Sequence, residues 1–313
     1  MRRRAHVLKE NRGTVIPYFY VVFDTETLPQ KHPLGQEHVF RLAVAYFYDR
    51  TSTRYPDPVR IVKTRDPVAL WDWIISHTKE RQRLYVFAHN IDYDVTVSRA
   101  IDYLQSHKYE IKKWFVQDRA YYMKWQKGQK TIVLADTFSI FPFSLKRIGE
   151  FAGLSKLSMP EWNESDDTWF KYCERDVAVL AAALQKYFMF IRDNDLGNFA
   201  ITLPGQAFNA YRHRFMKEKI YIHNIDPVID AEIASYYGGR TEAWYIGRVP
   251  EKLYYLDINS MYPYVMREYE YPIQYIGTWP NPTLRELKKL CKKYAVIAHL
   301  RLAVKEPILP YRS

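Results

Sequence analysis

Acidic side chains lie beside apolar strand-like or helical stretches at three places in the 313-residue sequence. Asp24 and Glu26 are two residues apart, so in an extended strand both point to the same face. Asp94 follows another apolar run, and Asp176 follows Tyr172 by four residues, which places these two on one helical face. Carboxylates beside apolar residues are costly unless a cation joins them, and Mg²⁺ or Mn²⁺ prefers oxygen ligands. Each residue alone could be an ordinary cap or core residue. In this order they predict two-metal hydrolysis of a phosphodiester, with Tyr172 orienting the attacking water.

These side chains require a framework of strands and helices, and the sequence predicts one. Apolar and β-branched runs predict strands over 17–23, 39–48, 84–88, 111–116, 120–125 and 131–135. Helices are predicted from Pro67 to about His77, after Asp94 to about residue 104, over 144–151, and from the capping residue Ser165 to about Phe190. In the last third, helices are predicted over 206–219 and 284–293, and strands over 253–256 and 294–304. Strands that alternate with helices indicate an α/β fold.

The composition indicates a polyanionic partner. Forty-six Lys and Arg face thirty-five Asp and Glu, giving a net charge of +11, and 16% of the residues are aromatic. Basic residues neutralise phosphates and aromatic rings stack on the bases of a single strand, although a merely basic soluble protein is the alternative. The two cysteines, Cys173 and Cys291, have neither zinc-ligand spacing nor a disulfide framework. No apolar run predicts a membrane span, so we expect a cytoplasmic or organellar protein that is not secreted.

Three segments around the acids resemble the exonuclease motifs of family B DNA polymerases. They are Phe23-Asp24-Thr25-Glu26, His89-Asn90-Ile91-Asp92-Tyr93-Asp94 and Tyr172-Cys173-Glu174-Arg175-Asp176. The resemblance implies a ribonuclease-H-like fold and a 3′→5′ proofreading exonuclease that binds two Mg²⁺ or Mn²⁺ ions through the four acids. It also implies that His89, Asn90 and Tyr93 belong to the surface that contacts the single-stranded primer end.

Two further segments resemble the protein-primed subgroup of phages, linear plasmids and organellar elements. Thr137 and Phe138 stand where this subgroup has a Ser/Thr-Leu pair that binds single-stranded DNA, with Phe138 in place of Leu. Lys156 begins a Lys-x-x-hydrophobic motif, which implies a cation near the scissile phosphate; a solvated loop lysine is the alternative. Whether a terminal protein primes synthesis stays open.

The C-terminal third resembles the beginning of a polymerase palm domain. Tyr236-Tyr237-Gly238-Gly239 is similar to the Tyr-x-Gly-Gly motif, which contacts template DNA, and Arg240 continues its basic surface. The segment from Asp257 to Pro263 is similar to the first palm motif. The resemblance implies that Asp257 binds the catalytic metal ions of polymerisation. It implies that the incoming dNTP is contacted by Ser260, Met261 and Tyr262.

The polar segment 192–198 predicts a domain boundary. We therefore expect an exonuclease domain over 1–195 and the beginning of a palm over 196–313. No aspartate follows Asp257, so the second palm aspartate motif is missing and we expect no nucleotide addition by this sequence alone. Two other functions stay open: a stand-alone exonuclease acting on DNA or RNA ends, and an inactive DNA-binding fragment.

Overall fold

A computed structural model describes residues 3–17, 19–33, 35–49, 57–117, 120–239, 241–303 and 305. Arg240, a predicted DNA contact, lies outside these residues, as does the end of the predicted strand 294–304. The chain divides into two compact units, Glu10–Met216 and the combination of Met1–Lys9 with Lys217–Ser313. Residues 196–216 thus pack with the first unit, whereas the domain boundary predicted from the sequence lies between residues 195 and 196. The division into an exonuclease and a palm domain stays a prediction.

The elements of the described residues alternate between strands and helices. In chain order the strands are β1 His6–Leu8, β2 Phe19–His32, β3 Gly35–Asp49, β4 Arg60–Thr64, β5 Arg83–Ala88, β6 Glu110–Gln117, β7 Ala120–Lys127, β8 Lys130–Asp136 and β9 Ile220–Ile222. The α-helices are α1 Pro67–Ser76, α2 Ile91–Val97, α3 Ala100–Ser106, α4 Leu145–Ala152, α5 Asp166–Asp193, α6 Leu203–Ala210, α7 Asp226–Ala234, α8 Met261–Glu268 and α9 Leu284–Lys293. A 3-10 helix covers Thr137–Ser139 and a π-helix covers Tyr211–Phe215. The predicted α/β class is confirmed.

A mixed sheet forms the centre of the first unit. Its strand order is β4-β3-β2-β5-β8-β7-β6. Strand β5 runs parallel to β2 on one side and to β8 on the other, while the remaining neighbours are antiparallel. Parallel strands place their carboxyl ends at the same edge of a sheet, and ligand sites of open α/β sheets lie at that edge.

Each face of this sheet has its own hydrophobic cluster. Side chains alternate along β2, so Val21 and Phe23 pack on one face with Trp71 of α1 and Trp125 of β7. Tyr20 and Val22 pack on the opposite face, where α5 contributes a long row of buried residues including Trp169. Burying apolar surface lowers the free energy of the folded state by about 25 cal/mol per Å². The large side chains at Tyr20 and Val22 therefore determine which face of β2 packs against α5.

The local signals in the sequence placed most elements of the first unit correctly. Helix α1 begins after Asp66, whose side chain accepts a hydrogen bond from the Val68 N–H at 2.8 Å. Helix α5 begins after Ser165, whose side chain accepts a hydrogen bond from the Thr168 N–H. The predicted helix beyond Asp94 is instead two helices, α2 and α3, and Asp94 lies inside α2. The predicted helix 206–219 is shorter and ends in the π-helix.

The second unit contains the β1–β9 pair and helices α7, α8 and α9. Helix α9 is confirmed at its predicted position and begins with a capping box of Thr283 and Glu286. The predictions of strands at 253–256 and over the described part of 294–304 are wrong, because those residues pair with no strand. Tyr255 is 96% exposed, so β propensity without a partner strand did not produce a strand there. None of the helices in the described part of the chain is long and apolar enough to span a bilayer.

Candidate active site

Asp24 and Glu26 lie inside β2 rather than at its end, which corrects the prediction that the strand stops there. Strand β2 continues to His32 in a long hairpin with β3, with a bulge between Glu26 and Thr27. Its parallel pairing with β5 stops at Val22. Both acids therefore stand just beyond the point where β2 loses its parallel neighbour. They follow Tyr20 and Val22 at intervals of two, so they face α5.

Asp94 approaches β2 from the opposite face. It is 3% exposed in α2, and its Oδ1 accepts hydrogen bonds from the Thr25 backbone N–H at 3.1 Å and from Thr25 Oγ1 at 2.6 Å. Helix α2 can begin here because Asn90 adopts a left-handed conformation with φ of 69°, which Asn tolerates better than most residues. Through these two hydrogen bonds, Thr25 connects Asp94 to the strand that carries Asp24 and Glu26.

Helix α5 contributes the fourth acid, Asp176. Tyr172 and Asp176 are both buried and lie one helical turn apart, as the spacing predicted. Lys156 forms an ion pair with Asp176 Oδ2, and its Nζ lies 4.4 Å from the centre of the Tyr172 ring. The prediction that Lys156 belongs to a site rather than to a solvated loop stays a prediction. Its side chain nevertheless contacts two of the candidate site residues.

Cys173 is the residue that the sequence reasoning missed. It is fully buried next to Tyr172, and its Sγ lies 3.4 Å from the Asp24 backbone oxygen and 3.6 Å from Asp24 Oδ2. One ligand atom each from Asp24, Glu26 and Cys173 lies within 4.8 Å of the other two. Cys173 precedes Asp176 by three residues, so helical spacing already indicated a shared face.

The acids raise each other's affinity for protons. Burial, followed by the charge of Asp176, raises the pKa of Asp24 to about 7. Burial and the charges of Asp24 and Asp176 raise the pKa of Glu26 to about 9. The pKa of Asp94 is also raised by burial and by Asp24. The single positive charge of Lys156 therefore balances only part of the negative charge that four ionised carboxylates would carry.

The donor set fits divalent cations that prefer oxygen. Asp176 is 4% exposed, and its Oδ1 has no hydrogen-bond partner. A buried carboxylate oxygen without a partner costs free energy that a bound cation would recover. The chemistry of the donors, which are mainly carboxylates, matches Mg²⁺ or Mn²⁺.

The residues predicted to contact a single strand gather beside the acids. His89 Nδ1 lies 3.0 Å from Thr137 Oγ1, and the His89 and Phe138 rings are 5.4 Å apart. The Tyr93 hydroxyl lies 2.6 Å from the Oγ1 atom of Thr27, which follows Glu26 in the middle of β2. The Asn90 backbone N–H donates to Asp136 Oδ1 at 3.0 Å, which leaves the Asn90 side chain exposed. Asp136, a buried acid that the sequence did not single out, thereby joins the two segments.

The predicted polymerase residues belong to the second compact unit. Gly238 has φ of 69°, a left-handed conformation that glycine adopts without strain. Gly239 packs so closely against the Tyr262 hydroxyl that a Cβ atom there would clash. The segment that resembles Tyr-x-Gly-Gly therefore contacts the segment that resembles the first palm motif. The remaining predicted residues are all exposed: Tyr236, Asp257, Ser260 and Met261. Among the described residues, Asp257 joins no cluster of three potential metal ligands.

Comparisons with known proteins find similarity to DNA polymerases. A family model described as DNA polymerase type B, organellar and viral, matches residues 158–312. A probable DNA polymerase of Podospora anserina is 28% identical over 116 residues, which are 36% of this chain and 9% of that protein. The Phi29 DNA polymerase complexed with primer-template DNA is 14% identical with a TM-score of 0.46, covering 63% of this chain and 35% of that one. The Phi29 polymerase complexed with single-stranded DNA gives 14% identity and a TM-score of 0.42, covering 61% and 34%.

These matches relate the chain to DNA polymerases. Within that class, residues 158–312 are similar to the type B family of organellar and viral polymerases, as the motifs predicted. The chain spans about a third of the Phi29 chain and less than a tenth of the Podospora protein.

Proposed function

We propose that the chain carries a two-metal 3′→5′ exonuclease that removes nucleotides from single-stranded primer ends, within a protein-primed type of family B DNA polymerase. The observation that carries the proposal is the meeting of Asp24, Glu26, Asp94 and Asp176 around one point of β2, with raised pKa values for Asp24 and Glu26. Such a cluster of like charges is unfavourable by itself and favourable around divalent cations.

Each side chain has a defined task in this reaction. The four acids would hold two Mg²⁺ or Mn²⁺ ions, which supply a hydroxide nucleophile and stabilise the leaving 3′ oxygen when bound. The Tyr172 hydroxyl orients the attacking water. Lys156 provides a positive charge for the scissile phosphate, since its pKa is raised by the ion pair with Asp176 in spite of burial.

The DNA follows the polar and aromatic residues that surround the acids. The single-stranded end contacts His89, Asn90, Tyr93, Thr137 and Phe138, whose rings and polar groups suit stacked bases and phosphates. Template DNA contacts the second unit, through Tyr236, Gly238, Gly239 and Arg240. In a complete enzyme, Asp257 would bind the polymerisation metals, and Ser260, Met261 and Tyr262 would bind the dNTP.

Digestion of a 5′-labelled single-stranded oligonucleotide tests the proposal. With Mg²⁺ we expect a ladder of products shortened from the 3′ end, and none with EDTA or with a blocked 3′ end. The variant Asp24→Ala/Glu26→Ala should lose more than about 100-fold in rate, since even outer partners of metal ligands cost roughly 10–100-fold. Its DNA affinity should change little, because basic residues supply most of the affinity.

The matched control removes two acids outside the site, Asp102→Ala/Glu110→Ala, both exposed in the parent. It should digest as fast as the parent. A folded parent that binds DNA but never digests it would favour the inactive DNA-binding fragment. Equal digestion of RNA and DNA ends would favour the stand-alone exonuclease.

A further inference from the structure

The candidate site includes a sulfur atom that the two-metal mechanism does not use. Cys173 Sγ lies 3.6 Å from Asp24 Oδ2, and both are grouped with a Glu26 carboxylate oxygen within 4.8 Å. Carboxylate oxygens suit hard ions such as Mg²⁺, whereas a thiolate selects softer ions such as Zn²⁺. One corner of the site therefore has a donor of a different class.

The separation of these atoms suits a tetrahedral ion. Zinc binds thiolate sulfur at about 2.3 Å and carboxylate oxygen at about 2.0–2.2 Å, so a tetrahedral site separates sulfur and oxygen ligands by roughly 3.6 Å. The observed distance from Cys173 Sγ to Asp24 Oδ2 is 3.6 Å. No large backbone movement is needed for one ion to contact both atoms.

A second observation at the same corner indicates a ligand. Asp176 is 4% exposed, its Oδ1 has no hydrogen-bond partner, and its charge acts on both Asp24 and Glu26. It follows Cys173 by three residues on α5, so both side chains lie on the helical face that meets β2. Asp176 Oδ2 pairs with Lys156, so Oδ1 is the oxygen of this buried carboxylate that remains open to a cation beside the thiol.

We infer that Asp24, Glu26 and Cys173 form a binding site for a thiophilic divalent cation such as Zn²⁺ or Cd²⁺, and that this ion inhibits the nuclease. When sulfur binds the ion, the thiol proton passes to the buffer and the thiolate becomes the ligand. Asp24 and Glu26 are then withdrawn from Mg²⁺. Zinc-type ions outcompete Mg²⁺ at a site with a thiolate ligand. The inhibition rests on the proposed exonuclease, whereas the binding of the ion does not.

Cadmium titration of the full 313-residue chain tests the binding directly. Cadmium–thiolate bonds absorb in the ultraviolet, so the absorbance reports on sulfur ligation without any enzymatic activity. The other cysteine, Cys291, is exposed and provides the matched control. In Cys291→Ser we expect one Cd²⁺ per chain with a thiolate band. In Cys173→Ser/Cys291→Ser, checked for native circular dichroism, the band should disappear.

Inhibition is measured separately, as the Zn²⁺ concentration that halves the Mg²⁺-dependent digestion rate of each variant relative to its own rate without Zn²⁺. We expect this concentration to rise at least 10-fold when Cys173→Ser is added to Cys291→Ser. A missing cadmium band in Cys291→Ser, or an unchanged band in the double variant, would overturn the site. A band without any digestion in the parent would leave the cation site standing and refute the exonuclease.

Discussion

Binding of Mg²⁺ should displace protons from Asp24 and Glu26. Their pKa values are raised to about 7 and about 9, because both are buried beside other carboxylates. Metal ligands must be deprotonated, so the ion competes with these protons and its affinity should rise with pH. At pH 8, Asp24 would be about 10% protonated and Glu26 about 90%, so these two acids together should release roughly one proton when the ions bind. At pH 6 the release from these two acids should approach two protons.

Calorimetric titration with Mg²⁺ in two buffers of different ionisation enthalpy measures this release. The variant Glu26→Gln should lower the release at pH 8 by nearly one proton, because Glu26 is the more protonated of the two acids at this pH. Asp24→Asn should retain more of it. Heats that are identical in the two buffers at pH 8, with Mg²⁺ bound, would refute the reasoning about the acidic cluster.

Further predictions concern the stability and chemistry of the same residues. Without metal, the free energy of unfolding should fall by a few kcal/mol as the pH rises from about 4.5 to 9. The reason is that the raised pKa values of Asp24 and Glu26 make the folded state bind more protons than the unfolded state. Urea titration with and without Mg²⁺ checks this. Thr25→Val should cost roughly 1.5–3 kcal/mol in urea unfolding, because it removes the 2.6 Å hydrogen bond to Asp94, and Thr25→Ser should restore most of it. Tyr172→Phe should slow digestion about 10- to 100-fold while the calorimetric Mg²⁺ affinity stays unchanged; equal rates would contradict its role.

Local chemistry explains which elements could be predicted from the sequence. Asp66 and Ser165 cap helices α1 and α5 with their own side chains, so a short stretch of sequence contains the whole signal. The part of β2 beyond Glu26 forms because it pairs with β3. In the sequence, the acidic residues at 24 and 26 look like the end of a strand, so this continuation was not predicted. The apolar run at 253–256 had β propensity but no partner strand, and propensity alone does not form a sheet.

The candidate site was predictable in its residues and not in its contacts. The spacing of Tyr172 and Asp176 predicted a shared helical face, and the structure has it. The proximity of Cys173 to Asp24 joins residues 149 positions apart, which no local pattern encodes. The same holds for Asp136, whose carboxylate accepts from Asn90 across 46 positions.

The most direct test of the two-metal site is anomalous diffraction from crystals soaked in Mn²⁺. We expect two peaks about 3.5–4 Å apart, surrounded by the carboxylates of Asp24, Glu26, Asp94 and Asp176, and their loss in Asp24→Ala/Glu26→Ala. Fully occupied Mn²⁺ sites elsewhere on the chain, with no peak among these four carboxylates, would contradict the proposed exonuclease.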